Sequence, residues 1–193
     1  GECGCARRTT RRRTTVARQQ FMEAAKQQPW FQNTLFVFVG DHGVKGNAKA
    51  LYPDAWTSER LTDEHIPLLF YAPGFIKPEK RKEAVSQIDV LPTIAGLLNQ
   101  PYTNTTIGRD LLRKQGAKDF AFIIHHDEGK IGLVNNDFYY ILNMNLQKDT
   151  LVPVRFNTPV LPAAKYESIK KQLATETIAL FESSRWMLLN NKK

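Results

Sequence analysis

Cysteine is almost missing from this sequence of 193 residues: there are two, Cys3 and Cys5, both within the first five positions. A disulfide scaffold needs several cysteines and a zinc ribbon needs two separated pairs, so both classes are excluded. Long apolar runs are missing as well. The longest are residues 35–39 and residues 66–76, and Pro73 breaks the second. A membrane span needs about 20 apolar residues, and the first residues lack the apolar stretch of a secretory signal.

Acidic residues are outnumbered, 19 against 27 lysines and arginines, which gives a net charge of +8. Residues 1–18 alone carry six arginines against one glutamate, a net charge of +5. One interpretation is an arm that binds nucleic acid or anionic lipid. The other is a low-complexity segment that is disordered or non-native. We favour the second, because the segment has no interleaved aromatic residues and no helical period, and residues 19–193 show no matching basic face.

The apolar patterns predict an α/β fold. Residues 34–40 (TLFVFVG) form a short continuous apolar run, which is typical of a strand buried on both faces. The predicted order is helix 16–28, strand 34–40, a long polar loop 44–63, strand 66–71, helix 87–99, strand 119–124, a hairpin of 130–134 and 137–143, and helix 163–189. The hairpin adds an antiparallel patch near the C-terminus.

Asp41, His42 and Gly43 follow the first predicted strand. Ligands of α/β sheets gather beyond the carboxyl ends of strands, and the glycine permits a tight turn in which carboxylate and imidazole converge. An oxygen and a nitrogen ligand together suit Zn²⁺ or Mn²⁺, which can polarise a phosphoryl or sulfuryl oxygen. The residues alone leave an alternative open, a loop-capping aspartate beside a solvated histidine, because two ligands do not complete a site of four.

Two other histidine-containing segments carry weaker signals. His65 precedes the strand 66–71, where it can neutralise a substrate anion or donate a proton. A surface histidine at a strand start is the simpler interpretation of the residues alone. The run 125–128 (HHDE) contains metal-binding residue types, but adjacent side chains at a strand end diverge. We therefore predict a polar passage from strand to turn there rather than a metal site.

Three segments, taken in order, resemble the sulfatase branch of the alkaline-phosphatase superfamily. They are residues 34–43 (TLFVFVGDHG), residues 65–74 (HIPLLFYAPG), and residues 86–98 (SQIDVLPTIAGLL) followed by 107–112 (IGRDLL). The resemblance implies part of a sulfatase-like sandwich with a mainly parallel sheet and a small C-terminal antiparallel patch. It further implies that Asp41 and His42 are ligands of one divalent metal ion, Mn²⁺ or Zn²⁺ in preference to Ca²⁺ or Mg²⁺. His65 falls in a region that faces the substrate in that family.

Within that branch, the Asp-His-Gly motif is more similar to the lipoteichoic acid synthases and phosphoethanolamine transferases than to classical arylsulfatases. The segment QQPWFQNTLFVFVGDHG particularly resembles the lipoteichoic-acid-synthase-like phosphoglycerol transferases. The resemblance implies a phosphate-ester substrate, such as a phospholipid headgroup donor, and acceptors among envelope lipids or glycans, with no nucleic-acid partner. It also implies an enzyme of the bacterial inner membrane whose catalytic domain lies in the periplasm or extracellular space. A sulfuric ester hydrolase is the alternative within the same superfamily.

The sequence departs from the family where the nucleophile is concerned. In the family the nucleophile is a threonine or belongs to a Cys/Ser-x-Pro-x-Arg motif, and it lies far upstream of the metal-binding pair. An acidic metal ligand also lies early in the family's sequence and is missing here. The threonines of residues 9–15 are too close to Asp41 to match. We therefore expect residues 19–193 to be the C-terminal part of a catalytic domain, with no catalytic nucleophile here and membrane contact only through a missing N-terminal region. The alternative of another class is a non-catalytic basic module that binds nucleic acid or lipid through residues 1–18.

Overall fold

A computed structural model describes residues 16–113 and 119–191 of the chain. Residues 1–15 of the predicted basic head lie outside the described residues, and residues 16–18 begin the first helix. The elements in chain order are α1 (residues 16–26), β1 (Phe36–Val39), α2 (Ala55–Ser58), α3 (Leu61–Glu64), β2 (Leu68–Tyr71), α4 (Val90–Leu97), β3 (Ala121–His125), β4 (Lys130–Val134), β5 (Phe138–Asn143), β6 (Lys148–Pro153) and α5 (Ala163–Asn190).

These elements belong to two compact units. The first comprises Gly1–Val39 with Pro67–Glu79, and the second Gly40–Ile66 with Lys80–Lys193. The mixture of helices and strands confirms the α/β class. Among the described helices, none is both long and apolar enough to cross a membrane.

The first unit is built around an aromatic core. β1 and β2 pair in antiparallel register, with Phe36 opposite Tyr71. The ring centroid of Phe36 lies 5.5 Å from that of Phe31 and 6.1 Å from that of Tyr71. Ala25 of α1 is buried in the same cluster, so the helix covers the face of the strand pair that carries Phe36.

The expectation of a mainly parallel sheet is wrong for the described strands. Both sheets, β1-β2 and β3-β4-β5-β6, contain only antiparallel neighbours. A continuous apolar run indicates burial and carries no information on strand direction. Parallel neighbours need a crossover of a dozen or more residues, usually helical, whereas the connection between β1 and β2 contains only the single-turn helices α2 and α3. Burial is also incomplete, since Val39 and Leu69 are 45% and 54% exposed.

The second unit contains the predicted C-terminal antiparallel patch as a four-stranded meander. The hairpin of β4 and β5 has the expected strands, and Val134 lies opposite Tyr139. The Asn135 carboxamide oxygen accepts backbone N–H groups from Asp137 and Phe138, which fixes the turn. β6 was not predicted from the sequence, because it begins with the polar residues KDT and ends at a proline, as an edge strand does.

Helices cover both faces of this sheet. Leu133, Phe138, Tyr140 and Leu151 lie on one face and pack against Leu173 of α5. On the other face Ile123, Tyr139 and Ile141 form a cluster with Leu61 of α3 and with Val154. The helix α3, which the sequence left inside a polar loop, is therefore anchored to the sheet by a buried leucine.

The start of α4 is fixed by the buried carboxylate of Asp89. Asp89 accepts the backbone N–H of Ser86 at 2.9 Å as the third residue of a capping box whose N-cap is Ser86. It also accepts the backbone N–H of Arg109 at 2.7 Å and its Nη2 at 2.9 Å. The Arg109 guanidinium in turn lies 3.8 Å from the ring centroid of Phe120.

Candidate functional site

Asp41 and His42 stand next to each other at the start of the second unit, two residues after β1 ends. The backbone N–H of His42 donates to Asp41 Oδ1 at 2.9 Å. The imidazole Nε2 of His42 lies 3.9 Å from Asp41 Oδ2. The side chain of Asp41 is 91% exposed and that of His42 is 79% exposed. A carboxylate oxygen and an imidazole nitrogen thus converge on one accessible point.

The ring of His42 is oriented by its own backbone. Its Nδ1 lies 2.7 Å from the carbonyl oxygen of Gly43. A carbonyl only accepts, so the proton of the neutral ring sits on Nδ1 and the lone pair of Nε2 is free to bind a ligand. Metal-binding histidines are commonly held in this way by a carbonyl or carboxylate on the opposite nitrogen.

The surroundings of the two side chains favour a negatively charged Asp41 and a positively charged His42. The backbone N–H of His42, followed by the charge of that imidazole, lowers the pKa of Asp41. The carbonyl of Gly43, followed by the charge of Asp41, raises the pKa of His42. Asp41 is therefore ionised at neutral pH, and a cation binding to His42 Nε2 competes with a proton.

The two side chains fit two positions of a metal coordination shell. Ligand atoms that each lie about 2.1 Å from one ion are at most about 4.2 Å apart, and the observed separation of 3.9 Å lies within that limit. In the described ranges, 16–113 and 119–191, no three histidine, cysteine, aspartate or glutamate side chains are grouped to hold a metal. The separation of Asp41 Oδ2 and His42 Nε2 is compatible with binding to one divalent ion, and their role as metal ligands stays a prediction.

The segment that carries the pair is attached to α3 by its backbone. The N–H of Gly43 donates to the carbonyl of Asp63 at 2.6 Å, and the N–H of Val44 donates to the carbonyl of Thr62 at 3.0 Å. A Cβ on Gly43 would lie 2.0 Å from the Thr62 carbonyl oxygen. Glycine is thus required at position 43 for close approach to α3, rather than only for the tight turn that the sequence predicts.

His65 lies directly after α3 and is exposed. The centroid of its ring lies 5.1 Å from that of Trp56 and 6.2 Å from that of Tyr52, in both cases in a T-shaped arrangement. The rings of Trp56 and Tyr52 stack on each other with their centroids 4.1 Å apart. Trp56 Nε1 donates to the carbonyl of Val154, which ties this cluster to the core. A substrate-binding role for His65 stays a prediction. The sequence offered one signal for its neighbours, aromatic residues inside a long polar loop.

Residues 125–128 (HHDE) form the end of β3 and the turn that follows it. His125 is the last residue of β3 and is buried, with Nδ1 3.5 Å from Glu64 Oε1. His126 is exposed in the turn, and Asp127 and Glu128 both accept hydrogen bonds from Arg60. The two carboxylates thus share one partner, Arg60, while His125 is directed to Glu64.

Arg60 is the residue of this region that sequence reasoning missed. It precedes α3 with φ 58° and ψ 24°, a left-handed conformation that disfavours side chains other than glycine, asparagine and aspartate. Its Nε donates to Asp63 Oδ2 at 3.0 Å. Nothing in the local sequence marks it, because two of its partners lie 67 and 68 positions further along the chain.

Comparison with known proteins places these features in context. The protein-family model described as Sulfatase matches residues 17–100. The chain is 27% identical over 145 residues to the lipoteichoic acid synthase-like protein YvgJ of Bacillus subtilis (strain 168), covering 70% of this chain and 22% of that protein. It is also 27% identical over 130 residues to an endo-4-O-sulfatase of Bacteroides thetaiotaomicron, covering 67% of this chain and 24% of that protein.

A solved structure has the same fold. The crystal structure of the lipoteichoic acid synthase LtaP from Listeria monocytogenes superimposes with a TM-score of 0.60 at 19% sequence identity, covering 87% of this chain and 42% of that chain. The chain thus spans about a quarter of the length of the relatives it matches and less than half of this structural neighbour.

Proposed function

We propose that the chain, whose residues 17–100 match the Sulfatase family model, is part of a metal-dependent enzyme of the alkaline-phosphatase superfamily that acts on phosphate or sulfate esters. Asp41 and His42 are two of its metal ligands. The observation that carries this proposal is the convergence of Asp41 Oδ2 and His42 Nε2 at 3.9 Å.

The chain's own residues have defined parts in this proposal. Asp41 contributes an anionic oxygen, and His42 contributes a neutral nitrogen whose orientation is set by the Gly43 carbonyl. The bound metal, Mn²⁺ or Zn²⁺, supplies polarisation of the ester oxygen and lowers the pKa of a nucleophile. His65 contacts the anionic substrate in this proposal, and its exposure just beyond α3 supports that role. The nucleophile and the remaining ligands belong to another part of the enzyme.

We further propose that the reaction is transfer of a phosphoglycerol or phosphoethanolamine group. Support comes from the lipoteichoic acid synthase-like relative and from the fold shared with LtaP. The donor is then a phospholipid headgroup and the acceptor an envelope lipid or glycan. Such an enzyme works at the bacterial inner membrane, with this part facing the periplasm or the extracellular space.

Hydrolysis of a sulfuric ester is the second candidate. The endo-4-O-sulfatase relative matches 67% of this chain at the same identity as the synthase-like one. A metal ion held by Asp41 and His42 can serve either reaction, because both reactions transfer a group whose oxygens carry negative charge.

The test uses the full-length protein that contains these residues, loaded with Mn²⁺ or Zn²⁺. It is incubated with vesicles containing phosphatidylglycerol or phosphatidylethanolamine, and separately with an aryl sulfate. With a glycolipid acceptor in the vesicles, formation of diacylglycerol together with an acceptor that carries the phosphoglycerol or phosphoethanolamine group, both lost in Asp41→Asn and His42→Ala, supports the transferase. Sulfate release alone supports the hydrolase, and turnover of neither by metal-loaded protein contradicts both. The 193 residues by themselves are expected to be inactive, and robust turnover by them would contradict a nucleophile located elsewhere.

A further inference from the structure

We propose that Arg60 is a positioning residue, which holds α3 so that the Asp41–His42 segment keeps its metal-binding geometry. This inference rests on the proposed function, because it concerns the same metal pair. Arg60 itself touches neither ligand among the contacts described above, and it acts through α3.

The first step is the attachment of the metal-binding segment to α3. Two consecutive N–H groups, those of Gly43 and Val44, donate to the carbonyls of Asp63 and Thr62. The ring of His42 is oriented by the Gly43 carbonyl. Any rotation or shift of α3 therefore moves the residue that sets the direction of the His42 ring.

The second step is the attachment of α3 to the sheet. Leu61 is buried in the core, and Glu64 Oε1 lies 3.5 Å from Nδ1 of His125 in β3. Arg60 adds contacts at the start of the helix, because its Nε donates to Asp63 at 3.0 Å and its Nη1 donates to Asp127 at 3.1 Å and also to Glu128. The helix is thereby joined to the turn between β3 and β4.

The third step is that the acceptors are themselves held. Lys130 Nζ lies 2.8 Å from Glu128 and 3.6 Å from Glu59, so the turn, the strand β4 and the end of α2 share one network. Hydrogen bonds from Lys130 and then Arg60 lower the pKa of Glu128 to about 2. The hydrogen bond from Arg60 also lowers the pKa of Asp127. Asp127 and Glu128 are thus ionised at neutral pH.

The backbone conformation of Arg60 also supports a positioning role. An arginine at φ 58° occupies a region that L-residues with long side chains rarely adopt. Such strain persists only where the surroundings enforce it, and it is concentrated at functional sites. Here the three carboxylate acceptors enforce it, whereas asparagine or glycine would suit the backbone better.

The experiment compares Arg60→Asn with Arg81→Asn in the full-length protein. Asparagine tolerates the left-handed backbone but is too short to reach all three carboxylates. Arg81 is an exposed arginine that binds Glu83 and the Leu111 carbonyl, so it is a matched control for loss of charge. The probe is Mn²⁺ alone, with its affinity measured by titration and its environment by electron paramagnetic resonance.

We expect Arg60→Asn to weaken Mn²⁺ binding by about 10- to 100-fold, as outer partners of metal ligands do, and to alter the resonance spectrum. Arg81→Asn should change neither. Equal affinity and spectrum in wild type and Arg60→Asn would overturn the positioning role while leaving the proposed function intact. Equal Mn²⁺ binding by wild type and Asp41→Asn would instead remove the metal pair on which the inference rests.

A second comparison keeps the inference testable if Arg60→Asn folds poorly. Arg60→Lys retains the charge but has a single ammonium in place of the planar fork, so a partial loss of Mn²⁺ affinity is expected. In a double-mutant cycle with Gly43→Ala, the combined loss should be smaller than the sum of the two single losses, because both act on the same attachment. Strictly additive losses would contradict the inference.

Discussion

The backbone N–H of Gly43 lies 2.6 Å from the carbonyl oxygen of Asp63, so the residue after the His42 ring is bound directly to α3. The site is therefore assembled from two pieces of chain, a segment that follows a strand and a one-turn helix 20 residues later. Its geometry depends on how that helix is held as well as on the two ligands. The predictions below separate these contributions.

Gly43→Ala should reduce metal affinity by about tenfold or more. Its Cβ would lie 2.0 Å from the Thr62 carbonyl oxygen, so the segment must move away from α3. Isothermal titration with Mn²⁺ on the full-length protein measures the effect. Gly46→Ala is the control, since the nearest atom to a Cβ there is 3.9 Å away. Equal affinity in both variants would show that the contact with α3 is not needed.

Asp89→Asn should destabilise the protein by about 3–5 kcal/mol, because it leaves the charge of Arg109 with a neutral partner in a buried site. Asp89 is fully buried and accepts several hydrogen bonds at the start of α4. Urea denaturation of the 193-residue chain measures the loss. Glu83→Gln removes a carboxylate from a more exposed pair with Arg81 and should cost less than about 1 kcal/mol. Similar losses in the two variants would contradict the importance of the buried pair.

Tyr139→Phe and Tyr140→Phe should change stability in opposite directions. The hydroxyl of Tyr139 is buried and has no hydrogen-bond partner among the described residues, so its removal should stabilise the fold by about 1 kcal/mol. The hydroxyl of Tyr140 donates to Asp149 at 3.2 Å, and its removal should cost about 1 kcal/mol. Thermal unfolding of the two variants checks this, and a loss in Tyr139→Phe would mean that its hydroxyl is satisfied.

Glu128 should contribute stability that disappears in acid. Its pKa is lowered from 4.5 to about 2 in the folded protein by Lys130 and Arg60, so its ionised form stabilises the fold above about pH 4.5. The contribution is lost as the pH falls toward 2. Glu128→Gln should therefore lower the free energy of unfolding at pH 7, by on the order of 1 kcal/mol because solvent screens a partly exposed group. The difference from wild type should vanish near pH 2.

Glu79→Gln is the control for this pH dependence, because Glu79 is an exposed carboxylate in the other unit. Its unfolding free energy at pH 7 should differ from that of the wild type by less than about 0.5 kcal/mol. A constant difference between Glu128→Gln and wild type from pH 2 to pH 7 would contradict the ionised network around Arg60.

The sequence predicted those parts of the fold that a local pattern determines. The hairpin of β4 and β5 and the long helix α5 follow from alternation and from helical spacing, and Asp41 and His42 could be located because a glycine follows them at a strand end. The resemblance to the sulfatase branch rested on three ordered segments, and the match of the family model to residues 17–100 confirms it.

The parts that were missed depend on distant contacts. The antiparallel pairing of β1 with β2 depends on the direction in which the chain enters β2 after α3. An apolar run contains no information on that direction. Arg60 has no local signature, since its partners Asp127 and Glu128 lie far along the chain and its left-handed backbone is atypical of arginine. The one-turn helices α2 and α3 are too short for a period to be read.

The central claim, that Asp41 and His42 bind a divalent metal, is tested most directly by measuring the metal content of the full-length protein. Inductively coupled plasma mass spectrometry on wild type, Asp41→Asn and His42→Ala, each purified in the presence of Mn²⁺ and Zn²⁺, gives the bound metal per chain. We predict one divalent ion in the wild type and its loss in both variants, with the fold retained. Unchanged metal content in the two variants would contradict the assignment.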